Sequence, residues 1–75
     1  RVNAICPGFI QGEWLRKGMG DELYNAAKDN LTSSTPLKLT VTPEQVASGI
    51  YNFIEISTVV TGETMLMDGG HHLII

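Results

Sequence analysis

Residues 1–8, Arg-Val-Asn-Ala-Ile-Cys-Pro-Gly, set the frame in which the rest of the chain is read. Residues 1–6 alternate weakly between polar and apolar. The ring of Pro7 keeps Cys6 out of the helical region, so the stretch reads as a short strand that turns at Pro7 and Gly8. A second β-rich stretch, residues 63–67, follows Gly62 and stops at Asp68, Gly69 and Gly70. Two strands separated by a long helical connection pair in parallel through a right-handed crossover, which predicts an α/β fold.

The connection itself divides into helices and a loop. From Gln11 to Leu31 the apolar spacing is helical, interrupted at Gly18 and Gly20. This predicts a short helix over 13–17 and a second over about 21–31, with Leu23, Ala27 and Leu31 on its apolar face. Residues 32–40 are rich in Thr and Ser and contain Pro36, which favours a loop because short hydroxyl side chains compete for the backbone. Thr42, Pro43, Glu44 and Gln45 then combine an N-cap, a proline at the first helical position, an acid in the first turn and the glutamine of a capping box. A helix runs from there to about residue 55, with Val46, Ala47, Ile50, Phe53 and Ile54 as a wide apolar stripe. Gly49 in its middle costs about 1 kcal/mol relative to alanine, which predicts close packing against another element.

Composition narrows the possibilities further. At 75 residues and 43% hydrophobic the chain has material for one small core, hence at most one domain. The net charge of −3 and the lack of a basic block remove the electrostatic footprint of nucleic-acid or anionic-membrane binding. A single cysteine cannot form an internal disulfide, and no Cys/His spacing suits zinc. With no apolar run of about 20 residues and no secretory leader, a reducing, cytoplasmic location is expected. Parallel sheets need helices on both faces, and this chain has too little helix for that. Together with Arg1 as the first residue, the deficit predicts a piece of a longer protein.

Three blocks of residues are similar to the short-chain dehydrogenase/reductase family. They are residues 1–8, Thr-Pro-Glu-Gln-Val-Ala at 42–47, and Thr-Gly-Glu-Thr-Met-Leu-Met-Asp-Gly-Gly at 61–70, in the family's order and spacing. The resemblance is to the C-terminal segment. It implies that residues 1–75 are the last part of one NAD(P)-binding domain, a doubly wound Rossmann-type parallel sheet. This part holds the last two strands, the lid helices over the substrate pocket and the final helix. It also implies an oxidoreductase that interconverts an alcohol and a carbonyl by hydride transfer, with NAD or NADP as cofactor and a homo-dimeric or homo-tetrameric full-length parent. In the family the Pro-Gly loop lies beside the nicotinamide ring and the backbone at position 10 contacts its carboxamide, so Pro7, Gly8 and Ile10 inherit a cofactor-binding role. The family commonly has a threonine at position 12, where this chain has Gly12.

The residues themselves point to the same loop. Ligands of open α/β sheets sit outside the carboxyl ends of the strands, where residues 7–12 leave the first strand, and a glycine there lets backbone groups approach a flat ligand. Trp14, Leu15, Met19 and Leu23 either line an apolar substrate pocket or pack under a loop. Gln11 reads as a solvated loop residue or as a polar contact in the site, and Cys6 as a small buried hydrophobe. Tyr24 and Lys28 have the spacing of the family's catalytic pair but follow the Pro-Gly loop, whereas the family's pair precedes it. They read as an exposed or lid-helix pair, leaving the segment without catalytic residues and without a Gly-rich phosphate-binding turn. His71 and His72, adjacent on an extended chain, would point to opposite sides and so share no metal ion. Glu63 and Asp68 read as solvated acids. A second reading makes the segment a non-catalytic assembly module, since the family's final helix and last strand contribute to subunit association.

Overall fold

In the computed structural model, which describes residues 1–75, Ala4–Pro7 (β1) pairs in parallel with Thr64–Met67 (β2). The register sets Ala4 opposite Thr64 and Pro7 opposite Met67. The amides of Ala4 and Gly8 donate to the carbonyls of Glu63 and Met67 at 2.9 and 3.0 Å. Even-numbered residues therefore present their N–H groups to β2, and Pro7 falls where the ladder needs no donor. The expected α/β class and parallel pairing are both present.

Between the strands lie Glu13–Met19 (α1), Asp21–Ser34 (α2) and Pro43–Tyr51 (α3). The capping box forms in full at α3: Gln45 N–H donates to Thr42 Oγ1 at 3.2 Å, and Thr42 N–H donates to Gln45 Oε1 at 2.9 Å. The helix continues into a π-helical turn, Asn52–Ile56, closed by Ser57, whose N–H donates to the Asn52 carbonyl at 2.8 Å and whose hydroxyl donates to Asn52 Oδ1 at 2.7 Å. The Arg1 guanidinium then donates to the carbonyls of Ile54, Ser57 and Val60, supplying partners that the end of a helix lacks.

α3 covers one face of the sheet. A Cβ at Gly49 would collide with Met67 Sδ and stand 3.4 Å from Ile5 Cδ1, which accounts for the mid-helix glycine. The other face, with Cys6 opposite Leu66, carries no helix, so Cys6 is exposed and not the buried hydrophobe expected of it.

The second helix differs from expectation in length and in facing. It runs on through Ser34, because Thr32 and Ser33 turn their hydroxyls back onto the carbonyls of Lys28 and Asn30 and remain helical. Its inward residue is Tyr24, 2% exposed, while Leu23 is exposed. The radius of gyration, 13.8 Å, exceeds the roughly 11 Å of a compact chain of this length. The structure is accordingly flat, 43 × 26 × 15 Å, with Tyr24 and Val41 as its buried apolar residues.

Candidate functional site

Both strands end on the same edge, and the loop 8–12 leaves β1 there beside the Asp68-Gly69-Gly70 turn that leaves β2. Residue 10 is held by a parallel bridge to Val41. Val41 N–H donates to the Phe9 carbonyl at 2.9 Å, and Gln11 N–H donates to the Val41 carbonyl at 2.8 Å. In such a bridge the flanking residues make the bonds, so the N–H and C=O of Ile10 itself turn away from Val41. Neither has a hydrogen-bond partner within the chain.

Ile10 also lines an open cleft of about 470 Å³, together with Gly8, Gly12, Trp14, Leu15 and Pro43. That volume lies in the range of small-molecule sites. The structure thus brings Gly8, Ile10, Trp14 and Leu15 together. Pro7 shapes the exit of β1 without lining the cleft, and Met19 lies in a neighbouring groove shared with Trp14, Leu15 and Lys17. Trp14 stands at the rim, 87% exposed.

Several side chains whose place the sequence left between alternatives hold this loop. Gln11 is not a solvated residue: its Nε2 donates to Thr40 Oγ1 at 2.8 Å. Tyr24 is not exposed: its hydroxyl accepts from the Gly12 N–H at 3.0 Å, its ring centroid lies 5.4 Å from that of Phe9, and the Arg16 guanidinium sits 4.6 Å above the ring. Lys28, one turn on, is half-buried on the same helix. The β-branched run Thr40-Val41-Thr42 signals the extended backbone that bridges to Ile10, and the spacing of Tyr24, Ala27, Lys28 and Leu31 is as helical as that of Leu23, Ala27 and Leu31.

At the end of β2 the Asp68 carboxylate organises the turn. It accepts from the backbone N–H groups of Gly70 and His72 at 3.0 and 2.9 Å, and His72 Nδ1 lies 2.9 Å from both of its oxygens. An ionised carboxylate only accepts, so Nδ1 is the ring nitrogen that carries the proton. Burial alone would raise the Asp68 pKa, but the His72 ring and the two backbone donors outweigh it and hold the carboxyl below its ordinary value. His71 and His72 sit on a 3₁₀ turn, His71–Leu73, and not on extended chain, because Gly70 at φ 89° reverses the backbone first. No group of three or more His, Cys, Asp or Glu residues is placed to hold a metal ion, and no helix is long and apolar enough to cross a membrane.

A family model described as enoyl-(acyl carrier protein) reductase matches residues 1–72. The chain belongs to the short-chain dehydrogenase/reductase family. Its relatives in this family include a Streptomyces violaceoruber protein whose name places it as ketoacyl reductase 2 of the granaticin polyketide synthase, 34% identical over 99% of this chain and 28% of its own length. The NADH-type enoyl-acyl-carrier-protein reductase FabI of Bacillus cereus is 35% identical over 99% of this chain and 28% of its own length. The 3-oxoacyl-acyl-carrier-protein reductase FabG of Chlamydia muridarum is 35% identical over 93% and 27%. The chain therefore spans just over a quarter of the length of these short-chain dehydrogenase/reductase relatives. Within the family fold, the parallel pair of β1 and β2 with α3 against it is one portion of a Rossmann-like sheet.

Proposed function

We propose that the chain is part of an NAD(P)-dependent oxidoreductase that interconverts an alcohol and a carbonyl, and that it supplies the loop facing the nicotinamide. The observation that carries this reading is the free N–H and C=O of Ile10 beside the 470 Å³ cleft. A carboxamide offers one donor face and one acceptor face, and a single residue with both backbone groups unused matches it. Gly12 carries no side chain to stand between that part of the loop and a flat ring, while the space beside Gly8 is filled by Asp68. Pro7 fixes the direction in which the loop departs. When bound, the cofactor supplies the hydride, while these residues hold its ring in one orientation.

Trp14 and Leu15 then form the apolar wall on the substrate side of the cleft, with Met19 one groove further along α1. The names of the relatives include ketoacyl, 3-oxoacyl and enoyl reductases, so reduction is their common ground, and the enoyl reductase name adds NADH. A carbonyl acceptor is in keeping with the ketoacyl and 3-oxoacyl names. The 75 residues contain no Gly-rich phosphate turn, and their Tyr24-Lys28 spacing is used structurally, with Tyr24 bonded to Gly12. The chain on its own is therefore expected to give no turnover.

The test follows nicotinamide absorbance with NADH and NADPH against a panel of ketones and aldehydes. It compares the full-length protein carrying these residues with the 75-residue chain. Turnover by the former and a blank rate from the latter is the expected result. A full-length protein that binds neither nucleotide overturns the reading. A second reading, an assembly role, is favoured by one observation: Ile50 and Ile54 on the last helical segment and Leu73, Ile74 and Ile75 at the end of the chain are all exposed.

A further inference from the structure

We propose that Tyr24 is a positioning residue that ties the lid helix α2 to the ligand-facing loop, so that docking of the helix and the shape of the loop around Ile10 are one coupled unit. The proposal rests on the reading of that loop as the nicotinamide-facing element. Tyr24 touches the loop on both sides of Ile10: its ring packs on Phe9, one residue before, and its hydroxyl accepts from Gly12 N–H, two residues after. The remaining anchors, the Val41 backbone and the Thr40 hydroxyl, come from the segment that leads into α3. From α2, this one phenol supplies both the hydrogen bond to the loop backbone and the aromatic contact with Phe9.

Gly12 needs such a partner. It is the N-cap of α1, where its carbonyl already accepts from Arg16 N–H at 3.1 Å, and it has no side chain with which to satisfy the backbone. Its φ of 156° is one that residues with a side chain rarely adopt, so the loop path depends on an external hold. Tyr24 provides that hold from a ring that is itself 2% exposed, whereas Gly12 is exposed, so loss of the bond hands the Gly12 N–H to water. Arg16 over the ring keeps the phenol in place from α1, so three segments meet on one side chain. Loosening Gly12 frees the stretch that presents the Ile10 N–H and C=O, and binding must then pay for ordering it.

The test uses the full-length protein and Tyr24→Phe, which keeps the ring on Phe9 and beneath Arg16 and removes only the acceptor, with Asn25→Ala on the exposed side of the same helix as a control. Two readouts are taken: exchange of the Gly12 amide, and Kd for NADH and NADPH by calorimetry. In the wild type the Gly12 amide should be protected, and Tyr24→Phe should release it and raise the cofactor Kd about five-fold, the scale of one ordinary hydrogen bond. Asn25→Ala should move neither. A Gly12 amide that exchanges freely in the wild type overturns the proposal without any variant. Faster exchange in Tyr24→Phe with unchanged Kd also overturns it, because the bond then exists but positions nothing. A wild type that binds neither nucleotide rejects the functional reading and the cofactor half of the proposal together, a result distinct from equal binding by wild type and variant.

Discussion

Gly8 and Asp68 meet across the ends of the two parallel strands: a Cβ built on Gly8 would stand 2.9 Å from Asp68 Cβ and 3.1 Å from its Cα. The sequence assigned the missing side chain to the approach of a ligand. The structure adds a nearer cause, since the backbone of β2 already occupies that space. The loop at the proposed cofactor site and the turn that leads to the C-terminus are therefore in direct contact.

Gly8→Val must separate the strand ends, because what it meets is backbone and Cβ, not a mobile side-chain tip. The expected cost is about 1–3 kcal/mol of stability, typical of overpacking. In the folded fraction of the full-length protein, nucleotide affinity should fall by at least about 1 kcal/mol, near the value of one hydrogen bond. Calorimetric titration of a folded Gly8→Val that shows unchanged affinity removes the loop from the site.

Gly49 gives a contrast in which two effects compete. Gly49→Ala gains about 1 kcal/mol of helix propensity and confronts mainly the thioether of Met67, which can turn aside, so its net effect should be small. Gly49→Val adds bulk against both Met67 and Ile5 Cδ1 and should lose about 1–3 kcal/mol. Denaturant midpoints for the pair decide it, and equal loss in both variants would mean that helix–sheet contact is not what selects glycine.

The Asp68 turn should be sensitive to acid. Its folded pKa lies below the ordinary 3.8, so its stabilisation is complete above that value and is lost as pH falls through the lower, folded one. Amide exchange at Gly70 and His72 should accelerate over that interval, and Asp68→Asn should flatten the dependence. Identical exchange profiles for wild type and Asp68→Asn would show that the carboxylate does not hold the turn.

The exposed tail gives a test of assembly. Leu73, Ile74 and Ile75 make only local hydrogen bonds, from Leu73 to Gly70 and from Ile74 to His71, and Ile75 is 86% exposed. If the tail joins subunits, deleting residues 73–75 from the full-length protein should shift its mass in solution towards smaller assemblies while each subunit stays folded. Light scattering that finds the same assembly before and after deletion assigns the tail to packing within one subunit.

Local chemistry was readable without coordinates. Thr42 and Gln45 are three residues apart, so the capping box follows from covalent proximity and sets the start of α3 wherever the helix lies. Pro7 constrains its own neighbour in the same way. The parallel pairing followed from the length of the connection, and Gly49 signalled a close neighbour, although not that it would be Met67. Two adjacent helical stripes through α2, one starting at Leu23 and the other at Tyr24, are equally periodic, and periodicity cannot rank them.

The succession of elements, the parallel pair and the family resemblance all follow from the order of residues, because each depends on neighbours a few positions apart or on motif spacing. Which residues hold the loop around Ile10 does not. Gly12 and Tyr24 are separated by the whole of α1 and the turn at Gly20, and Gln11 and Thr40 by the whole of α1 and α2. Their hydrogen bonds exist because α2 docks with one particular side inward. Cys6 became exposed for the same reason: its strand has a helix on one face, and facing is a property of packing between elements.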